Sequence, residues 1–193
     1  MASYDTALDF QPVSRYLHGD SLEQIVSACH REGIKVIARM DFSKIDYSVY
    51  EKHPDWAYRT PDGKTVDDNG KVHSCLNSPY QQKYAMEILK EILDRYPFDG
   101  VFCNMSGFIS IDYNRVYHGP CHCESCRKAF KEQYGEDIPA WDNPGDPVYR
   151  KYAAFRAECT KKQKMTLHET IRAINPDISS SSWVVTNVIF SGR

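Results

Sequence analysis

The sequence predicts an α/β fold built of parallel β–α units. Three observations carry that expectation. Strand-length apolar segments alternate with amphipathic helical segments in the order helix, strand, helix, strand, helix, strand. Helix-to-strand links are tight (Gly33, then 96–99, then 175–177), whereas strand-to-helix links are long, about 42–78 and about 105–146. The composition, 41% hydrophobic and 26% charged with 13 Tyr, 8 Phe and 3 Trp, is that of a chain able to build a core. A length of 193 residues suits one domain, or part of a larger one. No internal repeat or composition break divides residues 1–193, which read as a single region.

The first helix is expected over 21–32. Asp20 caps it with Glu23 as box partner, Leu22, Ile25, Val26 and Cys29 form one apolar stripe, and Gly33 ends it. IKVIARMDF follows as a strand. Val36, Ala38 and Met40 point to one face, and Ile37, Arg39 and Asp41 to the other. A second helix spans 79–95, with Ser78 as cap, Gln81 completing the box, and Tyr84, Ile88 and Ile92 buried. The strand DGVFCN ends near 104. A short helix at 124–134 stops at Gly135. A long helix follows Asp146-Pro147 and runs to 174, with Val148, Tyr152, Phe155 and Cys159 on one side. A last strand covers about 178–186.

In parallel α/β folds the functional site lies beyond the carboxyl ends of the strands. The long loops at that end hold the unusual residues. Cys121-His122-Cys123-Glu124-Ser125-Cys126 places three thiols within six residues, just before a helix, a spacing that lets backbone turns aim three sulfurs at one soft cation. Zinc takes four ligands. Cys75, at the end of the other long loop, is the first choice for the fourth, with His122, His118 and Cys103 as alternatives. Four sulfurs would make a closed, structural site. Cys29 and Cys159 lie on helix stripes and read as core.

Asp41 and Asn104 each end a strand, and Asp41 shares a face with Arg39, so the three are expected to line one pocket. Asp46 and Asp112 are weaker carboxylate candidates. Loop aromatics, Trp56 and Tyr58 among them, suit a sugar, whose C–H face stacks on rings while polar groups take its hydroxyls. Asn69-Gly70 reads as a hairpin turn, and Asp99 as a turn residue at the strands' other end. Lys and Arg number 24 against 26 Asp and Glu, so the basic excess of a nucleic-acid binder is absent. No apolar run is long enough to span a membrane. MASYDTALDF lacks a basic start and an apolar stretch, so no secretory signal and a cytoplasmic location are expected.

The stretches GIKVIARMDFS, HPDW, SCLNSPY, YPFDGVFCN and GPCHCESCRKAF resemble the glycoside hydrolase family 42 β-galactosidases. They resemble still more their relatives, the hypothetical glycosyl hydrolase 6 group. In family 42 a cysteine before an Asn-Ser-Pro run joins a later C-x-C-x-x-C to hold zinc. The resemblance therefore implies Cys75, Cys121, Cys123 and Cys126 as ligands. It also implies a (β/α)8 barrel of the TIM type with a carbohydrate site at its carboxyl face. On the local reading of strand ends and loop aromatics, Asp41 and Asn104 are the catalytic candidates and Arg39, Trp56 and Tyr58 substrate-binding. The enzyme expected is a glycoside hydrolase, β-galactosidase-like or fucosidase-like; a non-catalytic carbohydrate-binding barrel and a zinc-stapled protein-interaction module are the alternatives. Two departures stand out. Met105 follows Asn104 where family 42 has its acid/base glutamate, and the nucleophile strand would lie past residue 193. A full barrel needs about 250 residues, so the chain is expected to be only part of one. Its open sheet edges would favour a homo-oligomer.

Overall fold

A computed structural model describes residues 2–184. In chain order these form α1 (Ser21–Arg31), β1 (Ile37–Asp41), β2 (Lys44–Asp46), a one-turn α2 (Tyr47–Tyr50), β3 (Lys71–His73), α3 (Ala85–Arg95), β4 (Gly100–Ser106), α4 (Glu124–Tyr134), α5 (Pro147–Ile174) and β5 (Ser179–Val184). β1, β4 and β5 make a parallel sheet in the order β1-β4-β5. Residues 185 and 186, included in the expected last strand, lie outside the described residues. Along β1 burial alternates: Ala38 and Met40 are buried, while Ile37, Arg39 and Asp41 are not. Ala38, Met40, Val101 and Cys103 share one apolar cluster with Leu89 and Ile92 of α3 and with Leu167 and Ile171 of α5. Helices thus cover one face of the sheet, and Arg39, Asp41 and Asn104 belong to the other.

Local sequence explains most element ends. The Asp20 carboxylate accepts from Glu23 N at 3.0 Å. At the other end of α1, Gly33 adopts φ 71°, and Ile34 N returns to Cys29 O at 2.9 Å, the helix-ending turn that favours glycine. Only Val26 of α1 is buried; Ile25 is exposed, so α1 meets the core along a narrower line than its apolar stripe predicts. α4 starts and stops where expected, with Gly135 at φ 70°. The second helix differs. Its first turn, Tyr80–Tyr84, is π-helical, and the expected capping box does not form. The Ser78 hydroxyl instead donates to Cys75 O at 2.7 Å, and the Gln81 amide donates to Ser74 Oγ at 2.8 Å. Both side chains hold the preceding loop rather than the helix.

The first long loop is partly ordered as a ribbon. β2 pairs antiparallel with β3, and Asn69-Gly70, both at positive φ, make the tight turn that reverses the chain into β3. A second apolar cluster gathers both long loops, α4 and the start of α5. It holds Phe130, Tyr149, Tyr152 and Phe155 together with Cys75, Cys121, Cys123 and Cys126. α5 has 28 residues, a rod of about 42 Å, and so contributes to both clusters.

At the amino ends of the strands, Asp99 does more than turn the chain. Its carboxylate accepts from Val36 N at 2.8 Å, Lys35 Nζ at 2.9 Å and His30 Nε2 at 2.9 Å. Its backbone pairs with Val36 and Ser179. The Lys35 ammonium, the Val36 amide and His30 hold the Asp99 carboxyl well below the usual carboxylate range. Because the folded value is depressed, the stabilisation is present above the unfolded value of about 3.9 and is lost as pH falls through the folded one. Asp99→Asn is therefore expected to lower the urea midpoint at pH 7, with the gap to wild type closing as pH drops below about 4. Urea titrations at several pH values check this; a gap independent of pH would contradict it.

Candidate functional site

The parallel register sets Asp41 directly beside Asn104 at the carboxyl ends of β1 and β4. The Asn104 amide donates to Asp41 Oδ2 at 2.8 Å, and an Arg39 guanidinium nitrogen lies 3.6 Å from the same oxygen. Asp41 Oδ1 accepts from Ser43 N at 3.1 Å and Ser43 Oγ at 2.6 Å. The carboxylate is therefore fixed on both oxygens. A cavity of about 320 Å³ runs along β1 between the amino-terminal segment and α3, from Val36 to Asp41 and Lys44, with Tyr4, Ile88 and Ile92 on its walls; Asn104 does not line it. Asn104 runs into Met105, which adopts φ 50°, rare for a side chain larger than glycine, and the β4–β5 register shifts between Cys103 and Ser106. This irregular strand end turns the chain into the second long loop.

A buried polar group stands next to it that the sequence reading missed. Lys44 Nζ pairs with Asp68 Oδ2 at 2.6 Å and sits 3.6 Å from the centre of the Tyr113 ring. The Lys44 ammonium holds the Asp68 carboxyl below its ordinary range. His73 is fully buried; its Nδ1 meets Ile109 O at 3.1 Å, and its Nε2 has no hydrogen-bond partner among the described residues, with Asp68 Oδ2 3.9 Å away. Burial pushes the His73 imidazole down, which favours its neutral form. The triplet KVH directly follows the Asn69-Gly70 turn, and its partner KID lies 23 residues before that turn; their pairing sets Lys44 opposite His73 and Asp46 opposite Lys71. Of the weaker carboxylates, Asp46 pairs with Lys71, and Asp112 is held by His118 Nε2 at 3.0 Å and Val116 N at 2.9 Å.

Cys75, Cys121, Cys123 and Cys126 come together, all buried, with their sulfurs within 4.8 Å of one another. Three sulfur pairs lie at 3.3, 3.6 and 3.3 Å, far beyond the disulfide length of about 2.05 Å. A tetrahedron with metal–sulfur arms of about 2.3 Å has edges of about 3.8 Å, so the donor set and its spread fit a soft divalent cation. Amide groups surround it: Asn77 N reaches Cys75 Sγ at 3.3 Å, Asn77 Nδ2 reaches Cys126 Sγ at 3.4 Å, and Cys126 N reaches Cys123 Sγ at 3.4 Å. The loops are anchored around each sulfur. Cys75 N donates to Trp56 O at 2.9 Å, and Cys121 N to the Tyr152 hydroxyl at 2.9 Å. The other fourth-ligand candidates are elsewhere. His122 Nε2 meets Pro139 O, His118 faces Asp112, and Cys103 lies in the sheet core, where burial pushes its thiol up to about 11.

The site thus combines a fixed carboxylate–amide pair at the carboxyl end of a parallel sheet with a buried four-sulfur cluster where the two long loops meet. Residues 1–105 match the family described as hypothetical glycosyl hydrolase 6, and the chain belongs to that family. The β-galactosidase BglY of Alicyclobacillus acidocaldarius is 22% identical over 111 residues, 58% of this chain and 15% of that protein. The β-galactosidase BgaA of Planococcus sp. is 30% identical over 95 residues, 43% of this chain and 13% of that protein. Among solved structures, the β-galactosidase of Bacillus circulans sp. alkalophilus superposes with a TM-score of 0.62 at 18% identity, covering 83% of this chain and 28% of that one. A hypothetical protein of Ruminiclostridium thermocellum gives 0.57 at 15% identity, covering 94% of this chain and 76% of that one. The chain therefore spans less than a third of the β-galactosidases it matches.

Trp56 and Tyr58 are not a sugar platform. Each is 1% exposed. Trp56 stacks on His53 at 4.0 Å between ring centres and packs against Tyr80 and Tyr84. The Tyr58 hydroxyl donates to Gly119 O, where a side chain on Gly119 would meet Pro61 at 3.1 Å. Both rings are spent on closing the loops, which is where apolar area is best removed from water. Trp56→Ala should accordingly cost about 3–5 kcal/mol of folding stability, as large-to-small core changes do. Chemical denaturation measures it; an unchanged midpoint would contradict the core role.

Proposed function

We propose that this chain is part of a (β/α)8-type barrel of a glycoside hydrolase, residues 1–193 forming one β–α region of it. It takes a sugar, of the galactoside class, at the carboxyl ends of β1 and β4. The observation that carries the reading is the Asp41–Asn104 pair: a fixed carboxylate and an amide at the ends of register-paired parallel strands, in a chain of this family. Asp41 accepts a sugar hydroxyl or serves as general acid/base; Asn104 and Arg39 orient the ring. Binding rather than turnover is favoured in this chain. Both Asp41 oxygens are engaged, and Met105 stands where the resemblance places an acid/base glutamate. Little or no hydrolysis of 4-nitrophenyl glycosides is expected. General acid–base catalysis typically contributes about 10²–10⁴-fold, so robust turnover cut by that factor in Asp41→Asn would make Asp41 catalytic and overturn this expectation. A rise in KM with kcat unchanged would mark a binding role.

We further propose that Cys75, Cys121, Cys123 and Cys126 hold one zinc ion. All four positions would be filled by thiolates, so the metal would pin the two long loops and leave no position for substrate. Elemental analysis of chelator-free protein should give about one zinc per chain. Removing it should lower the melting temperature, because metal binding to such a site is folding free energy. Metal-free protein that melts at the same temperature would sink the structural role.

A further inference from the structure

We propose that hydrogen peroxide oxidises the four-sulfur site at Cys123 and that Cys75 then closes a disulfide with it. The metal clip between the two long loops is thereby exchanged for a covalent one; this rests on the zinc reading above. The four sulfurs are not equally reachable. Cys75, Cys121 and Cys126 are 0%, 1% and 0% exposed, whereas Cys123 is 4% exposed. Cys123 also lines a cavity of about 580 Å³ that opens between segment 54–63 and the start of α4. A small neutral oxidant therefore has a path to that sulfur. Arg59, Arg127 and Lys128 outnumber Asp55 and Glu124 on the cavity walls. Their net positive field favours the hydroxide that leaves as the sulfur is oxidised.

Geometry supplies the second sulfur. Cys75 Sγ lies 3.3 Å from Cys123 Sγ, 3.3 Å from Cys126 Sγ and 3.6 Å from Cys121 Sγ, so it touches each of the others. A Cys75–Cys123 bond needs its two sulfurs to close to about 2.05 Å. In the first step the Cys123 thiolate attacks one peroxide oxygen. The S–O bond forms, the O–O bond breaks and hydroxide leaves; the sulfur is oxidised to sulfenic acid and the peroxide is reduced. In the second step the Cys75 thiolate attacks the Cys123 sulfur. The S–S bond forms, the S–O bond breaks and a second hydroxide leaves. Each hydroxide takes a proton from solvent to become water. Only Cys121 and Cys126 then remain for a metal that takes four ligands, and the metal is released. The bridge joins residues 48 apart in sequence, so the two loops stay tied.

Hydrogen peroxide added to the zinc-loaded 193-residue chain tests this. A chromophoric chelator follows zinc release, dimedone traps sulfenic acid, and peptide mass spectrometry maps the label and the bridge. About one zinc per chain should be released. Dimedone should mark Cys123 before the other three sulfurs, and the bridge should join Cys75 to Cys123. Dithiothreitol with fresh zinc should restore the loaded chain. Zinc retained with all four thiols reduced would overturn this inference and leave the zinc reading standing. First labelling at another of the four sulfurs, or a bridge confined to 121–126, would do the same. A chain that binds no zinc would overturn the zinc reading and this inference with it.

Discussion

The meeting of Cys75 with Cys121, Cys123 and Cys126 is the constraint on which everything above the sheet depends. Two long loops carry little regular structure, and closing a chain segment of 46 residues costs roughly 3 kcal/mol in loop entropy before any contact repays it. Around the sulfurs the loops build a second apolar core, with Tyr58, Phe130, Tyr152 and Phe155 packed about the cluster. The same convergence fixes neighbouring backbone: Cys75 is tied to Trp56, Cys121 to Tyr152, and His122 N to Arg59 O at 2.8 Å. The ribbon that carries Lys44 and His73 returns through Ser74 and Cys75, so the polar group near the strand ends is positioned by the sulfurs at one remove.

The sheet divides its labour along its strands. At the amino ends Asp99 knots α1, β1 and β5 together, and its contacts are all internal. At the carboxyl ends the regular ladder breaks, Met105 takes a strained backbone angle, and carboxylate, guanidinium and amide groups gather. A single residue of register slip between β1 and β4 would turn Asp41 toward the helices and separate it from Asn104. Ala38, Met40, Val101 and Cys103 prevent this, because their burial against α3 and α5 fixes which face each strand presents.

Much of the fold was legible because short-range chemistry set it. Asp20, Gly33, Gly135 and Asp146-Pro147 mark helix ends through local backbone needs, and tight helix-to-strand links against long return loops gave the parallel order. The convergence of four thiols was legible from spacing together with family resemblance. What could not be read depends on partners distant in sequence. Ser78 has the look of a helix cap, but its hydroxyl serves the Cys75 carbonyl. Trp56 and Tyr113 are both loop aromatics; only packing decides that one is buried and the other open. Lys44 finds Asp68 across 24 residues, a pairing that no local pattern encodes.

The length of α5 has a consequence for cooperativity. One helix shares Tyr152 and Phe155 with the sulfur-centred core and Leu167 and Ile171 with the sheet core. Between them lies Gln163, buried, its Oε1 without a partner among the described residues. Two apolar cores therefore meet along a single helix. Amide hydrogen exchange along α5 would report them separately, its first turns protected by the loops and its last turns by the strands, with the weakest cooperative joint near the unsatisfied amide.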